Sequence, residues 1–434
     1  MKLKGLKLDP KKAYYRQLFF FLMTVFALSF LGVLLFTGGY SMRGLLASDR
    51  NGSFMEFFNK LILSGGDSYR SGSVTAPFAL LFYRCLLLFV PGSVIDRYVP
   101  SRVSSAYPAE VKIYQEFNYP FILFSVIAIF LLFFALKALK KGSGCERFAF
   151  IFFIFLSSPM LFGFERGSDV VITVALCALF IGGKDSEKKI VRNLSLAALG
   201  VAGALAVYPL LFCILLLKKK RFIDAGKVLA VFVVLTVPAL FIVGGGFAGA
   251  AKYIANIIAV WKENSLLLTG QLNFSKCLIN LFAGTSASNG LLFAAGNIFA
   301  CVIGVLALAA AFLAKKEWQT AALVCGLIAG LAPLCETHLL AFFAIPLAMF
   351  LDAEDANAPA SYFTLILLTL TQALVVSPDA AVHGYTRMFV TRLTGYGTLV
   401  LVVLVAATAA ADFAKGLYRA RKGDAAEGIG GKAQ

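Results

Sequence analysis

Charge is scarce in this chain of 434 residues: only 15% of them are charged, and histidine and tryptophan occur twice each. The eight cysteines lie mostly inside apolar runs, without metal-ligand spacing or a disulfide pattern, so we expect them to pack as small apolar residues. No GxxxxGK[ST] motif is present to bind the phosphates of a nucleotide. These scarcities argue against a soluble domain, a metal centre and a P-loop nucleotide site.

Apolar residues make up 60% of the chain, and Phe alone occurs 42 times. A soluble protein of this size could not cover so much apolar surface, whereas a bilayer accepts it. The sequence therefore predicts an all-α polytopic membrane protein of about 10–12 transmembrane helices with a long first outer loop. The first apolar run, 18–37, is too long for a signal peptide and lacks a convincing cleavage site, so we interpret it as a retained anchor.

Apolar runs of the required length place the spans. The predicted spans are 18–37, 119–138, 148–164, 169–183, 225–245, 291–314, 319–334, 337–351, 360–377 and 395–414. A short pair at 190–206 and 207–217 enters and leaves around Tyr208-Pro209, because proline breaks a helix. The predicted organisation is a basic cytoplasmic N-terminus at 1–17, a polytopic domain at 18–414 whose first outer loop is 38–118, and a cytoplasmic tail at 415–434.

The distribution of basic residues predicts the orientation. One side receives 26 of the 40 Lys and Arg and 12 of the 23 acidic residues, a net charge of 26 − 12 = +14 against 14 − 11 = +3 on the other. By the positive-inside rule the +14 side is cytoplasmic, which predicts a multi-pass protein of the plasma (inner) membrane with both termini in the cytoplasm. Attraction to anionic lipids accounts for the basic pI, so we expect membrane lipids as partners and no nucleic acid.

Residues suited to chemistry collect on the predicted outer side. They are Glu56, Asp67, Tyr69, Arg70, Glu165, Arg166, Asp169, Tyr208, Glu336, His338, Asp379, His383, Arg387 and Arg392. Nucleotide-activated substrates are normally absent from that side of a membrane. An enzyme acting there would need a donor that is carried by a lipid.

Two segments stand out on that side. The turn Glu165-Arg166-Gly167-Ser168-Asp169 interrupts an apolar stretch, and charges at a membrane edge are functional candidates. Alternatively, Arg166 only reaches a lipid headgroup.

The first outer loop contains a predicted interfacial amphipathic helix. Its apolar residues recur at helical spacing, at Phe54, Phe57, Phe58, Leu61 and Ile62, opposite Glu56, Asn59 and Lys60. The apolar segment that follows, APFALLFYRCLLLFVPG, is predicted to be re-entrant or interfacial. Glu56 is either a solvated carboxylate or a general base whose pKa is set by desolvation and a cationic neighbour.

Six short elements occur in a characteristic order between about residues 18 and 350. They are Glu56-Phe57-Phe58-Asn59, Asp67-Ser68-Tyr69, Ala76-Pro77-Phe78, Arg166-Gly167-Ser168-Asp169, Ala206-Val207-Tyr208-Pro209, and the late prolines of Leu331-Ala332-Pro333 and Ile345-Pro346. In order and spacing they resemble the polyprenol-phosphate-mannose-dependent alpha-mannosyltransferases, glycosyltransferase family 87 of the GT-C class. The chain departs from that pattern by Ala206 for Lys, by Ser168 for Asn, and by Glu56 where Asp is commoner.

The resemblance implies transfer of a sugar, mannose or another hexose, from a polyprenyl-phosphate donor to a glycan or glycolipid acceptor at the outer face. It implies Glu56 as the catalytic base, with Arg166, Asp169, Asp67, Tyr69, Arg70 and Tyr208 binding the donor phosphate or substrate. The Phe-rich helices after residues 118 and 147 would hold the polyprenyl tail. Because the leaving group is not a nucleotide diphosphate, we expect no metal and no other cofactor.

Three other functions remain open from the sequence. A secondary transporter would show inverted repeats, of which we find no clear example. A polysaccharide polymerase or ligase would share the long outer loop and would use residues such as His383 and Arg387. A degenerate paralogue would explain the missing Lys at Ala206.

Overall fold

The computed structural model describes residues 10–36, 54–65, 69, 72–98, 115–243, 245–267, 273–281, 289–331, 337–353, 359–373 and 385–430. All the regular structure within these ranges is helical. Five helices are long and apolar enough to cross a bilayer, and one bent pair would make a sixth span. The five are Tyr14–Phe36, Gln115–Leu139, Phe222–Val243, Gly290–Leu313 and Thr394–Gly416. The chain is an all-α polytopic membrane protein, as its composition predicts.

The N-terminal part contains the predicted amphipathic helix. Its helices are α1 (Pro10–Phe36), α2 (Met55–Ser64), α3 (Pro77–Leu87), α4 (Gly92–Tyr98) and, after a 3₁₀ turn, α5 (Asn118–Leu139). Helix α2 buries Phe57, Phe58, Leu61 and Ile62 on one face. Helix α3 has 11 residues, about half of what a standard span needs, which agrees with the prediction of a segment that does not cross.

The predicted span at 148–164 is not one continuous helix: the structure divides it into α6 (Gly144–Phe155) and α7 (Ser158–Arg166), bent by 55°, which makes it a broken span or a re-entrant loop. Ser157 is extended, and Pro159 lies in the first turn of α7. Proline is tolerated in a first turn but not in a helix interior, so the sequence restarts the helix here. Helix α8 (Val170–Gly183) follows after the charged turn.

The break at Tyr208-Pro209 is confirmed. Helix α9 (Lys189–Leu205) ends at an extended Ala206, and a 3₁₀ segment (Tyr208–Cys213) leads into α10 (Ile214–Lys218) and α11 (Phe222–Val243).

The C-terminal half differs from the predicted spans in three places. Its helices are α12 (Gly246–Leu267), α13 (Phe274–Leu281), α14 (Asn289–Leu313), α15 (Glu317–Leu331), a 3₁₀ segment (Thr337–Phe343) that continues as α16 (Ala344–Asp352), α17 (Pro359–Gln372) and α18 (Tyr385–Gly430). Helices α12 and α13 fall where we predicted no span. The span expected at 337–351 begins as 3₁₀ helix, and α18 extends well beyond both ends of 395–414.

Ion pairs tie the helices together at one end of the bundle. Asp352 at the end of α16 pairs with Lys140, which follows α5, and Glu146 of α6 pairs with Arg16 of α1 at 3.0 Å. A second network joins α8, α10, α11 and α15 through Lys184, Asp185, Lys219, Arg221, Asp224 and Glu317. These residues lie at the helix ends opposite to those that meet the charged turn, so the two groups of charges occupy different ends of the bundle.

Candidate functional site

Helix α2 packs directly onto the charged turn between α7 and α8. The amide of Phe54 donates to the carbonyl of Glu165 at 2.6 Å. Gly167 caps α7 with φ of +64°, and a Cβ built there would lie 2.6 Å from Cβ of Phe57. Only glycine combines this backbone conformation with so close an approach. The turn therefore packs closely against α2, which lies about 110 residues earlier in the sequence.

This contact forms a triad of charged side chains. Nζ of Lys60 lies 2.6 Å from Oε1 of Glu56 and 2.8 Å from Oδ1 of Asp169. Glu56 and Lys60 are neighbours on α2 at i and i+4. Asp169 stands just before α8, where the helix dipole favours a carboxylate. The side chain of Glu56 is 26% exposed against 6% for Asp169, so Glu56 is the carboxylate that a substrate can reach.

Burial and neighbouring charges shift the pKa values of Glu56 and Lys60 in opposite directions. Burial raises the pKa of Glu56, but the Lys60 ammonium and then His338 lower it by more, so this pKa falls to about 2. Burial lowers the pKa of Lys60, yet the Asp169 and Glu56 carboxylates raise it by more, and the net shift is upward. Both shifts favour the charged forms at neutral pH, a carboxylate on Glu56 and an ammonium on Lys60.

A second layer of side chains surrounds the triad. The ring of His338, in the 3₁₀ segment Thr337–Phe343, stacks on Phe162 of α7 with centroids 5.9 Å apart. The Arg166 guanidinium lies 5.1 Å from the centre of the same ring, and its Nε is 3.6 Å from Oε2 of Glu165. Ser168 is buried and hydrogen-bonds to Glu56. Three elements, α2, the α7–α8 turn and the 3₁₀ segment, thus bring acidic and basic groups to one place.

The structure gathers some of the predicted site residues and separates others. Glu56 and Asp169 belong to the triad, and Arg166 lies three residues before Asp169, at the end of α7. Tyr208 packs against Phe342, one turn beyond His338 on the 3₁₀ segment, with centroids 5.8 Å apart. Tyr69 lies in another buried cluster with Leu80 and Val243, and its hydroxyl donates to the carbonyl of Thr75 at 3.3 Å. Asp67, Arg70, Glu336 and Asp379, and the side chains of His383, Arg387 and Arg392, fall outside the described residues.

Sequence reasoning missed Lys60, which it placed only on the polar face of α2. A signal was available: Glu56 and Lys60 stand at the spacing that forms ion pairs on a helix. No local signal could have shown that Asp169 completes the triad. Ser168 also keeps a hydrogen bond to Glu56 although it replaces the expected Asn.

Two apolar grooves lie along the described helices. One, of about 430 Å³, runs between α5 and α6 and is lined by Ile129, Phe130, Phe133, Phe134, Phe148, Ile151, Phe152 and Phe155. Phe155 at one end of it stacks on Phe164, two residues before Arg166, with centroids 6.0 Å apart. The other, of about 460 Å³, is lined by Tyr208, Leu211, Cys301, Gly304, Val305, Leu308, Leu327, Ile328 and Leu331.

Comparison with known families identifies the class of this protein. The sequence profile of glycosyltransferase family 87 matches residues 115–337, just over half of the chain. The chain belongs to glycosyltransferase family 87. It is therefore a membrane glycosyltransferase, and the site is a candidate active site for sugar transfer. The matched segment contains Arg166, Asp169 and Tyr208, whereas Glu56 and Lys60 precede it. No curated protein and no solved structure matches the chain.

Proposed function

We propose that this glycosyltransferase takes its sugar from a polyprenyl-phosphate donor and passes it to a glycan or glycolipid hydroxyl at the outer face of the plasma membrane. Mannose or another hexose is the proposed sugar. Supporting this, the candidate site lies at the bundle end opposite to the basic ion networks, which the positive-inside rule assigns to the cytoplasm, as it does both termini. A donor that dissolves in the bilayer can reach such a site, whereas a cytoplasmic nucleotide sugar cannot.

The proposed base is Glu56, and the observation that carries the proposal is its partly exposed carboxylate, 2.6 Å from Nζ of Lys60. The acceptor hydroxyl oxygen would attack the anomeric carbon while the bond from that carbon to the phosphate oxygen breaks. The hydroxyl proton would pass to Glu56, and the leaving group would be a polyprenyl phosphate. The proton becomes acidic as the oxygen bonds to an electron-poor carbon, so a weakly basic carboxylate suffices, as in glycoside hydrolysis.

Arg166 is the proposed partner of the departing phosphate, which gains a negative charge as the bond breaks. A guanidinium presents two parallel donors that match phosphate oxygens. The ring of Phe162 packs against this guanidinium at the C-terminal end of α7. Ser168 and Asp169 follow in the turn directly after that helix end. Tyr208 and Arg70 are proposed as secondary contacts with the phosphate, and Asp67 and Tyr69 as contacts with the substrate.

The groove between α5 and α6 is the proposed seat of the polyprenyl tail. Its lining consists of Ile and Phe side chains alone, and the Phe155–Phe164 stack connects it with the helix that ends at Arg166. A chain whose phosphate meets Arg166 would therefore continue past Phe164 and Phe155 into this groove. Apolar burial supplies the binding energy in such a seat.

The donor class is tested directly with purified protein in lipid vesicles. We expect release of polyprenyl phosphate from a synthetic short-chain polyprenyl-phosphate hexose in the presence of a glycan or glycolipid acceptor, and no turnover of nucleotide sugars. Consumption of a nucleotide sugar would contradict the proposed donor. If neither donor class is consumed, the chain is a degenerate paralogue in which Ala206 marks a lost function.

A further inference from the structure

We propose that Lys60 is a positioning residue of the transfer reaction, whose ammonium holds the Glu56 carboxylate ionised and fixes it against the turn that carries Asp169. This rests on the proposed function, because it needs Glu56 as the base. Lys60 itself contacts carboxylates rather than substrate, so it acts through Glu56.

The geometry gives Lys60 two partners from different parts of the chain. Its hydrogen bonds are 2.6 Å to Glu56 and 2.8 Å to Asp169, and its side chain is only 14% exposed. Charge-assisted hydrogen bonds of this length are among the strongest that side chains form. Because Asp169 is fixed at the start of α8, the ammonium transmits that fixed position to the carboxylate on α2.

Charge balance makes the same residue necessary. Without Lys60, two carboxylates would remain close together in a poorly hydrated site, and like charges disfavour the ionised forms. Asp169, the more deeply buried of the two, would take up a proton first, and burial would then raise the pKa of Glu56 as well once its neighbouring cation is gone. A protonated Glu56 could not accept the acceptor's proton, so the reaction would lose its base at acid pH.

The other titratable groups around the pair come from every described element that packs on it. The α7–α8 turn contributes Asp169, Glu165 and Arg166, the 3₁₀ segment contributes His338, and α3 contributes Tyr83, whose ring centroid is 6.0 Å from Nζ of Lys60. Helix α5 presents the apolar rings of Phe121 and Phe124 to α2. His338 is a further ionisable group close enough to act on Glu56, so the test must separate its contribution.

The test compares the pH profiles of kcat/KM for the parent, Lys60→Met and Lys60→Arg with a polyprenyl-phosphate hexose as donor. The parent should lose little activity on acidification to about pH 5. For Lys60→Met we expect kcat/KM at pH 5.5 to be at least about tenfold below its own value at pH 8.5, the loss that follows when the pKa of the base lies about one unit or more above the lower pH. Lys60→Arg should keep the parent's profile even if its rate is lower, because the charge is retained.

A purely structural ion pair would give a different result. In that case Lys60→Met would lose activity by the same factor at every pH, and the proposal would be overturned. It would also be overturned if the acid loss of Lys60→Met disappears when His338→Gln is added, because His338 would then be the titrating group. If Lys60→Met does not fold, Lys60→Gln takes its place, since the amide still donates a hydrogen bond without a charge.

Glu56→Gln, measured in parallel, separates this proposal from the proposed function. If Glu56→Gln is inactive and Lys60→Met keeps the parent's pH profile, only the role of Lys60 is wrong. If Glu56→Gln is as active as the parent, Glu56 is not the base, and the proposed mechanism fails first.

Discussion

Arg166 has two possible roles, and a single substitution distinguishes them. Its guanidinium lies over Phe162 and 3.6 Å from Glu165, close to the triad. An arginine that only reaches a lipid headgroup needs no more than a positive charge. An arginine that binds the departing phosphate through two donors also needs the planar fork, which lysine lacks.

We therefore expect Arg166→Lys to fold with an unchanged melting temperature and to lose most of its activity, by about tenfold or more, because one good bidentate contact is lost. Arg84→Lys is the matched control, since Arg84 donates to the carbonyl of Ile242 at 3.1 Å, away from the triad. Transfer rates with the same donor provide the measurement. Activity of Arg166→Lys within about twofold of the parent would remove this residue from the site.

Individual site residues were predictable to different degrees. Glu56 could be proposed from its place on an amphipathic helix, and Arg166 and Asp169 from charges that interrupt an apolar run. The joining of Glu56 with Asp169 through Lys60 could not, because nothing local fixes how two segments 109 residues apart pack. Tyr69 looked equivalent to these residues in the sequence, yet its side chain belongs to another buried cluster.

At the scale of elements, the docking of α2 depends on the shape of the α7–α8 turn. The sequence shows a glycine at this turn, but not that Phe57 fills the space where a Cβ would be. The bend between α6 and α7 was missed because the apolar run continues through it, although Pro159 was a local signal for a helix break. Helix α12 was missed because Lys252 and Asn256 interrupt its apolar residues, and Asn256 in fact donates to the carbonyls of Tyr69 and Ser73.

Gly167→Ala tests whether this docking matters. A side chain in the left-handed conformation costs about 1–2 kcal/mol, and the contact with Phe57 adds to it. Gly72→Ala is the control, because Gly72 also has positive φ, +83°, but has open space around it. In detergent, Gly167→Ala should melt at a clearly lower temperature than Gly72→Ala and should show less transfer activity. Equal melting temperatures for the two variants would argue against close packing of α2 on the turn.

The groove between α5 and α6 gives a prediction about chain length. Ile129→Trp should fill part of the groove and raise KM for long-chain polyprenyl donors by several-fold, while leaving KM for a short-chain donor unchanged. Ile127→Trp lies on the same helix outside the groove lining and should leave both KM values unchanged. An equal effect of Ile129→Trp on both donors would place the tail elsewhere.

The whole molecule has its charges sorted between two ends. The two ion networks are built from charged residues of the +14 side, whereas Glu56, Lys60, Arg166 and Asp169 lie at the other ends of the helices. Composition and the positive-inside rule were enough to predict this sorting. They could not predict the exact set of long helices, because several elements are shorter than a standard span and are held by packing.

Cysteine labelling in intact cells tests the orientation. In a background without the eight native cysteines, Met55→Cys should react with a membrane-impermeant reagent, because Met55 is exposed beside the site. Ser143→Cys and Glu187→Cys, at the opposite helix ends, should react only after the cells are opened. Labelling of all three positions from the same side would contradict both the orientation and an outer-face reaction.

The most direct test of the whole account is the rate of polyprenyl-phosphate release by Glu56→Gln. Glutamine keeps the size of glutamate and can still bond to Lys60, so the variant should fold normally, but it cannot accept a proton. We expect the rate to fall by about 10²-fold or more, the usual effect of a positioned base. Glu56→Asp, which keeps the carboxylate one methylene shorter, should retain measurable activity. A Glu56→Gln variant that transfers sugar as fast as the parent would contradict the account.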